Sequence, residues 1–104
     1  MKKYIKVMEN PMRVTHLRIE THYDLGGYNV FNGKDEPRGY YLSVRPVEVN
    51  GVYETAAAFC GIRQCIKPVS RKSKNAENAA EEMAALMIDD LVKFTIEKNG
   101  LKLE

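Results

Sequence analysis

NAENAAEEMAALMIDDLVKFTIEK, residues 75–98, is the stretch that decides the fold. Its apolar side chains recur at intervals of three and four residues, which places them on one side of an α-helix. They are Ala76, Ala80, Met83, Met87, Leu91 and Phe94, with Ala84, Ile88 and Thr95 widening the stripe. Ser73 is a suitable N-cap, and Asn99-Gly100 followed by Leu101 is typical of a helix end. The apolar side of this helix must pack against another layer.

The chain before the helix has the two-residue alternation of β-strands. The pattern predicts strands at about residues 4–8, 13–23, 40–49 and 52–66. The second is the clearest, because one face carries Thr15, Leu17, Ile19, Thr21 and Tyr23 while the other carries His16, Arg18, Glu20 and His22.

The sequence also predicts the connections between these strands. Asn50-Gly51 predicts a tight hairpin turn, and the Gly-, Asn- and Pro-rich residues 24–39 predict a long connection. Pro46 favours either an edge position or a bulge in its strand, and Gly61 favours a bulge.

Together these elements predict a single α+β domain over residues 1–104. It is a meander of three to four antiparallel strands with the long C-terminal amphipathic helix packed on one face. Parallel βαβ units are excluded, because the strands are too closely spaced to hold a crossover helix.

Composition places the chain among ordinary globular proteins. Its 104 residues are 44% hydrophobic and 29% charged, with a net charge of +2. Apolar runs are far shorter than the roughly 20 residues that cross a bilayer, and the amino-terminal residues lack a signal-peptide core. We therefore expect a cytoplasmic protein without a membrane partner.

The two cysteines, Cys60 and Cys65, are expected to be reduced thiols, since their spacing fits neither a CxxC redox motif nor a zinc ribbon. The sequence assigns no metal and no cofactor.

The outer row of the second strand could support chemistry. His16, Glu20 and His22 are residue types that bind divalent metals or act as acids and bases. His16 and His22 would lie about 20 Å apart on a strand, too far to share one ion. This row is interpreted either as a solvated face or as the centre of a small enzyme with residues 24–33 as a lid.

A basic segment offers a different function. Its five cations have no acid among them from residue 63 to residue 74: Arg63, Lys67, Arg71, Lys72 and Lys74. Tyr41 and Arg45 would assist if they share a surface with this segment, because aromatic rings and cations together bind single-stranded nucleic acids. The leading hypothesis is a non-enzymatic interaction module that contacts a nucleic-acid backbone. The alternative is a solvated loop without a partner.

A second hypothesis is a homo-oligomer or partner-binding subunit, for example a homodimer. Apolar residues nearly encircle the helix between residues 83 and 94, and such a helix usually has more than one neighbour. They are Met83, Leu86, Met87, Ile88, Leu91, Val92 and Phe94. An exposed sheet edge could serve the same purpose.

Overall fold

The structure, a computed structural model, describes residues 1–30, 33–56, 61–67 and 71–104. Its strands are β1 (Lys2–Lys6), β2 (His16–Asp24), β3 (Gly27–Asn29), β4 (Lys34–Glu36), β5 (Gly39–Asn50), β6 (Tyr53–Ala56) and β7 (Ile62–Cys65). One helix, α1 (Lys74–Asn99), follows them. The predicted α+β architecture, an antiparallel sheet covered by the C-terminal helix, is confirmed.

The main sheet has β5 at its centre. β1 pairs with β2, and β2 pairs with β5. The other edge of β5 is shared, because β6 pairs with Val47–Asn50 and β7 with Tyr41–Val44. All these pairings are antiparallel. Within the predicted strand over residues 52–66 the structure describes β6 and β7, and residues 57–60 lie outside the described residues.

Pro46 and Gly61 are the two residues at which the sequence predicts an irregular strand. Pro46 lies within β5 and pairs with Leu17 of β2, and its other side has no ladder partner among the described residues. Among the described residues, β6 pairs with β5 from Val47 onwards, and β7 pairs with it up to Val44. A Cβ atom on Gly61 would lie 2.6 Å from the carbonyl oxygen of Val44, so only glycine fits there.

Two boundaries differ from the prediction for local reasons. β1 covers residues 2–6 rather than 4–8, and β2 begins at His16 rather than at residue 13. The side chain of Asn10 hydrogen-bonds to both the N–H and the carbonyl of Val14, which holds residues 10–14 in a turn. The connection from residue 24 to 39 also contains a small hairpin, β3 with β4, that the sequence did not predict.

The core lies between α1 and one face of the sheet. Leu17 and Ile19 of β2 lie beside Leu42 and Val44 of β5, and all four are fully buried. The helix covers them mainly with Ala80, Ala84, Ile88, Leu91 and Val92. Each large side chain buried here stabilises the fold by about 1.5 to 3 kcal/mol before entropy is counted. The alternation predicted for β2 thus points the correct residues inward.

Both helix ends are capped as their residues predict. The Ser73 hydroxyl accepts a hydrogen bond from the Ala76 N–H at 3.1 Å. Gly100 adopts the left-handed conformation, with φ of 64°, and its N–H reaches the Glu97 carbonyl. No helix in the described residues combines the length and the apolar content needed to span a bilayer.

Candidate functional site

The basic segment lies at one end of the main sheet. β7 ends there, because Cys65 pairs with Tyr41 near the start of β5, and Ile66 donates its N–H to the Tyr40 carbonyl. The helix begins at the same end, since the Tyr40 hydroxyl donates to the Ser73 carbonyl at 3.4 Å. Four cations of the segment are exposed here: Lys67, Arg71, Lys72 and Lys74. We call these four side chains the basic end.

The basic end has few counter-charges. None of its four cations forms an ion pair within the described ranges, although six ion pairs are found there. The Lys72 ammonium lies 5.8 Å from the centroid of the Tyr23 ring, which fixes its direction without neutralising its charge. These charges are consequently available to an external anion.

Arg63, the fifth predicted cation, is used inside the fold. Its guanidinium binds Glu36 at 2.5 Å and Asp24 at 2.8 Å, and it lies 4.5 Å from the centroid of the Tyr41 ring. The pKa of Arg63 is raised, first by its hydrogen bond to Glu36 and then by the one to Asp24. Arg63 therefore joins the β3–β4 hairpin to the sheet, and its charge is already balanced.

Arg63 lowers the pKa values of the two carboxyl groups that it binds. The pKa of Glu36 is lowered chiefly by the hydrogen bond from Arg63. The pKa of Asp24 is lowered first by the N–H of Gly26, which donates at 2.9 Å, and then by Arg63. Both acids therefore stay ionised and paired with Arg63. They do not pair with the cations of the basic end.

Tyr41 lies on the predicted outer face but is not available for stacking. Its exposed fraction is only 1%. Arg63 covers one side of the ring, His22 stacks at a centroid distance of 6.0 Å, and the hydroxyl donates to the Pro37 carbonyl at 2.6 Å. Burial raises the pKa of this hydroxyl. The outer face thus does not display the Tyr41 ring as a platform for a base.

Arg45 lies apart from the other predicted residues. It is exposed on the outer face of β5, opposite Arg18 in the ladder, about 17 Å along the strand from Tyr40. Arg18 is paired with Glu54 at 2.5 Å, and Glu54 also accepts a hydrogen bond from the Tyr4 hydroxyl. The structure thus leaves four of the seven predicted residues exposed at this end, whereas Arg63 and Tyr41 contact each other within the fold and Arg45 lies further along β5.

One exposed cation, Arg38, joins the basic end from a distant part of the sequence. Lys2 and Lys3 do not reach this end, because they pair with Glu20 and Ile19 in the middle of β2, and the Lys2 ammonium lies 6.0 Å from the centroid of the Tyr4 ring. Arg38 immediately precedes β5 at the same end. A local sequence pattern could not find Arg38, because only the pairing of β5 with β7 brings it to the end where the basic segment lies.

A cleft of about 310 Å³ separates the first turns of α1 from the sheet at this end. Lys72 and Tyr23 form one part of it, and Glu77 and Glu81 form another. Burial of Glu81 would raise its pKa, but hydrogen bonds from the amino-terminal ammonium, at 2.7 Å, and from the Thr21 hydroxyl lower it overall. Glu81 is therefore a paired anion and leaves Lys72 unneutralised.

The histidine row does not converge on one site. The His16 ring meets the Tyr4 ring edge-on at 6.1 Å, and its Nδ1 lies 2.8 Å from the Thr15 hydroxyl. His22, at the other end of β2, stacks on Tyr41, and burial is the main reason that its pKa is lowered. Within residues 1–30, 33–56, 61–67 and 71–104, no three His, Cys, Asp or Glu side chains are grouped closely enough to hold a metal ion. Cys65 is a free thiol, and Cys60 lies outside the described residues.

The fold and this surface define an α+β protein whose sheet carries a cation-rich end beside a helix N-terminus. No protein-family model matches the sequence, and comparisons with curated proteins and with solved structures find no match.

Proposed function

We propose that this protein is a non-enzymatic interaction module that binds the phosphate backbone of nucleic acids through Lys67, Arg71, Lys72 and Lys74. One observation carries the proposal: these four exposed cations lie at one end of the molecule without an ion-pair partner in the described residues. Phosphate groups are the anions that such clusters most often neutralise when the partner is a polymer.

The surroundings of the basic end favour a polyanion over a single small anion. Arg38 extends the positive surface beyond these four side chains, so several phosphates could be contacted at once. Arg63 pairs with both Glu36 and Asp24, which leaves a single negative charge among the three groups, and the amino-terminal ammonium pairs with Glu81. The main remaining acid of the first helix turn is Glu77. An extended anion would thus meet little repulsion.

The proposed contact is with the backbone and not with the bases. Tyr41 is buried under Arg63, so the aromatic partner expected for base stacking is missing from this surface. Binding should therefore depend on the charge of the nucleic acid more than on its sequence.

The test is a titration of fluorescently labelled single- and double-stranded oligonucleotides at several salt concentrations. Four phosphate contacts predict a slope of log affinity against log salt of about −3.6 for duplex DNA, and hence about a 100-fold loss between 50 and 200 mM salt. Replacing Lys67, Arg71, Lys72 and Lys74 with serine should abolish the salt-dependent binding.

A matched control separates location from total charge. Lys93, Lys98 and Lys102 are exposed on the rest of the helix and just after it. Serine at these three positions removes a similar charge far from the basic end, and binding should be nearly retained. If wild-type protein binds neither form at the lower salt concentration, or if both sets of variants lose affinity equally, the proposal is rejected.

A further inference from the structure

The two edges of the main sheet differ in how they are protected. At one edge β1 carries Lys2, Lys3 and Lys6, and Val7, which follows β1, bridges to Leu103. Lysines on an edge strand and a covering segment both discourage another strand from pairing there. β7, at the opposite edge, contains no lysine, and no strand lies beyond it among the described residues. The edge formed by β7 is therefore open to a further strand.

The main-chain groups of β7 that point away from β5 belong to Arg63 and Cys65. In an antiparallel ladder, alternate residues direct both their N–H and their carbonyl group to the same neighbouring strand. Ile66 donates its N–H to the Tyr40 carbonyl, so Ile66 and, by alternation, Gln64 face β5. Arg63 and Cys65 consequently direct their N–H and carbonyl groups to the open side, where an extended chain can pair with them.

A groove between β7 and α1 runs beside this open edge. Ile62 and Gln64 pair with the core residues Val44 and Leu42, so their side chains lie on the helix side of the sheet. The groove has a volume of about 350 Å³ and is lined by Ile62, Arg63, Gln64, Asp90, Leu91 and Phe94. Phe94 is 59% exposed and lies on the flank of α1 next to β7, so a strand added to β7 would cover its ring.

Asp90 gives the groove a negative charge. It is exposed and forms no ion pair in the described part of the chain, although six ion pairs are found there. Arg63 does not balance this charge, because its guanidinium is bound by two carboxylates on the outer face of the sheet. The exposed charges next to Asp90 on the helix are Asp89, Lys93 and Glu97, so acids outnumber the lysine. The groove therefore favours a basic side chain.

We propose that β7 binds an extended segment of another protein as an additional strand, with a basic and an apolar side chain two residues apart in the groove. Main-chain hydrogen bonds hold the segment, and the two side chains select it. The spacing fits, because two residues of a strand span about 6.6 to 7 Å, and Asp90 and Phe94 lie about 6 Å apart along the helix axis. This surface is separate from the basic end and does not depend on nucleic-acid binding.

The probe is a fluorescein-labelled peptide, Thr-Phe-Thr-Lys-Thr-Phe-Thr, whose lysine has a phenylalanine two residues away on either side and so fits both strand directions. Fluorescence anisotropy with the whole chain at up to about 1 mM detects weak binding. Hydrogen exchange measured by NMR tests the main-chain pairing. The N–H groups of Arg63 and Cys65 should exchange rapidly in the free protein and slowly with the peptide bound, whereas that of Gln64 should exchange slowly in both states.

Substitutions on the helix test the two side-chain contacts. Asp90→Lys should weaken binding of the lysine peptide about 5-fold and strengthen binding of a peptide with glutamate in place of the lysine by about the same factor. Asp89→Lys is the matched control, since it makes the same charge change about 100° around the helix and should leave both affinities nearly unchanged. Phe94→Ser should weaken both peptides about 10-fold, whereas serine at the exposed Leu86 should not.

Three outcomes would overturn the proposal: a lysine peptide that does not bind, Arg63 and Cys65 N–H groups that the peptide does not protect, or equal effects of Asp90→Lys and Asp89→Lys. Protection that instead grows with protein concentration alone, together with a dimer in sedimentation, would identify a second copy as the occupant and also overturn it. Circular dichroism confirms that each variant is folded. Oligonucleotide binding by Asp90→Lys and Phe94→Ser should not weaken, so the two proposals fail separately.

Discussion

The guanidinium of Arg63 lies over the ring of Tyr41, 4.5 Å from its centroid, while the same group binds Asp24 and Glu36. One side chain thereby covers a buried aromatic ring on the outer face and ties the β3–β4 hairpin to the sheet. The sequence predicts that Arg63 contacts a nucleic acid, but in the structure this side chain contacts other parts of the fold.

Arg63→Ala should destabilise the protein by about 1 to 2 kcal/mol. The cation–π contact is worth about 0.5 to 1 kcal/mol, and each ion pair adds at most about 1 kcal/mol because the carboxylates are partly exposed to water. Urea unfolding followed by circular dichroism measures the change. Arg45→Ala removes an exposed arginine from the same face and should cost less than about 0.5 kcal/mol. Equal losses in the two variants would show that Arg63 has no special structural role.

Arg63 also makes the free energy of unfolding depend on pH. The pKa values of Glu36 and Asp24 are lower in the folded protein than in an unfolded chain, so the unfolded state takes up more protons as the solution becomes acidic. The stabilisation is present above the ordinary carboxylate pKa values of about 4 to 4.5 and is lost as the pH falls through the lowered ones.

Arg63→Ala should affect the two carboxylates differently. Glu36 should return towards its ordinary pKa, because the hydrogen bond from Arg63 is the main cause of its shift. Asp24 should keep part of its shift, since the N–H of Gly26 still donates to it. Carbon-detected NMR titration of the two carboxyl groups measures both values. Equal return of the two pKa values would contradict the assignment of Gly26 as the larger cause at Asp24.

His22 should titrate below the ordinary histidine pKa of 6.5. Burial against Tyr41 disfavours the imidazolium form, Glu20 opposes that shift and Arg63 adds to it. Because the folded pKa is the lower one, the stability contribution is present above pH 6.5 and is lost as the pH falls through the folded value. NMR titration of the imidazole signals provides the measurement. Glu20→Gln should lower the pKa further, and a rise in this variant would refute the proposed balance of charges.

Some of this architecture is readable from the sequence because the signals are long and local. The helix has three- and four-residue spacing over more than twenty residues, and β2 alternates over nine. The hairpin of β3 and β4 has only three residues in each strand, too few for a period to be recognised.

The candidate site is less predictable because its contacts are distant in sequence. Arg63 lies 39 residues from Asp24 and 27 from Glu36, so the segment that contains it shows only an unpaired run of positive charge. The burial of Tyr41 follows from the same contacts. Arg38 reaches the basic end only through the pairing of β5 with β7, which no local pattern specifies.

Ser73 links helix stability to the charge of the basic end. Its hydroxyl accepts the Ala76 N–H, and its neighbours in the chain are Lys72 and Lys74. Aspartate caps a helix about as well as serine, whereas alanine cannot accept the bond. The two substitutions at this position therefore change stability and charge separately.

Ser73→Ala should lower the free energy of unfolding by about 0.5 to 2 kcal/mol, because the N–H of Ala76 loses its acceptor. It leaves the charge of the basic end unchanged, so oligonucleotide affinity at a temperature well below unfolding should be retained. Ser73→Asp should keep the stability but place a carboxylate between Lys72 and Lys74, which should weaken binding and reduce its salt dependence by about one phosphate contact. Thermal unfolding and oligonucleotide titration measure the two effects independently. If affinity followed stability in both variants, loss of the helix end and not loss of charge would explain the binding defect, and the basic end would not be the contact surface.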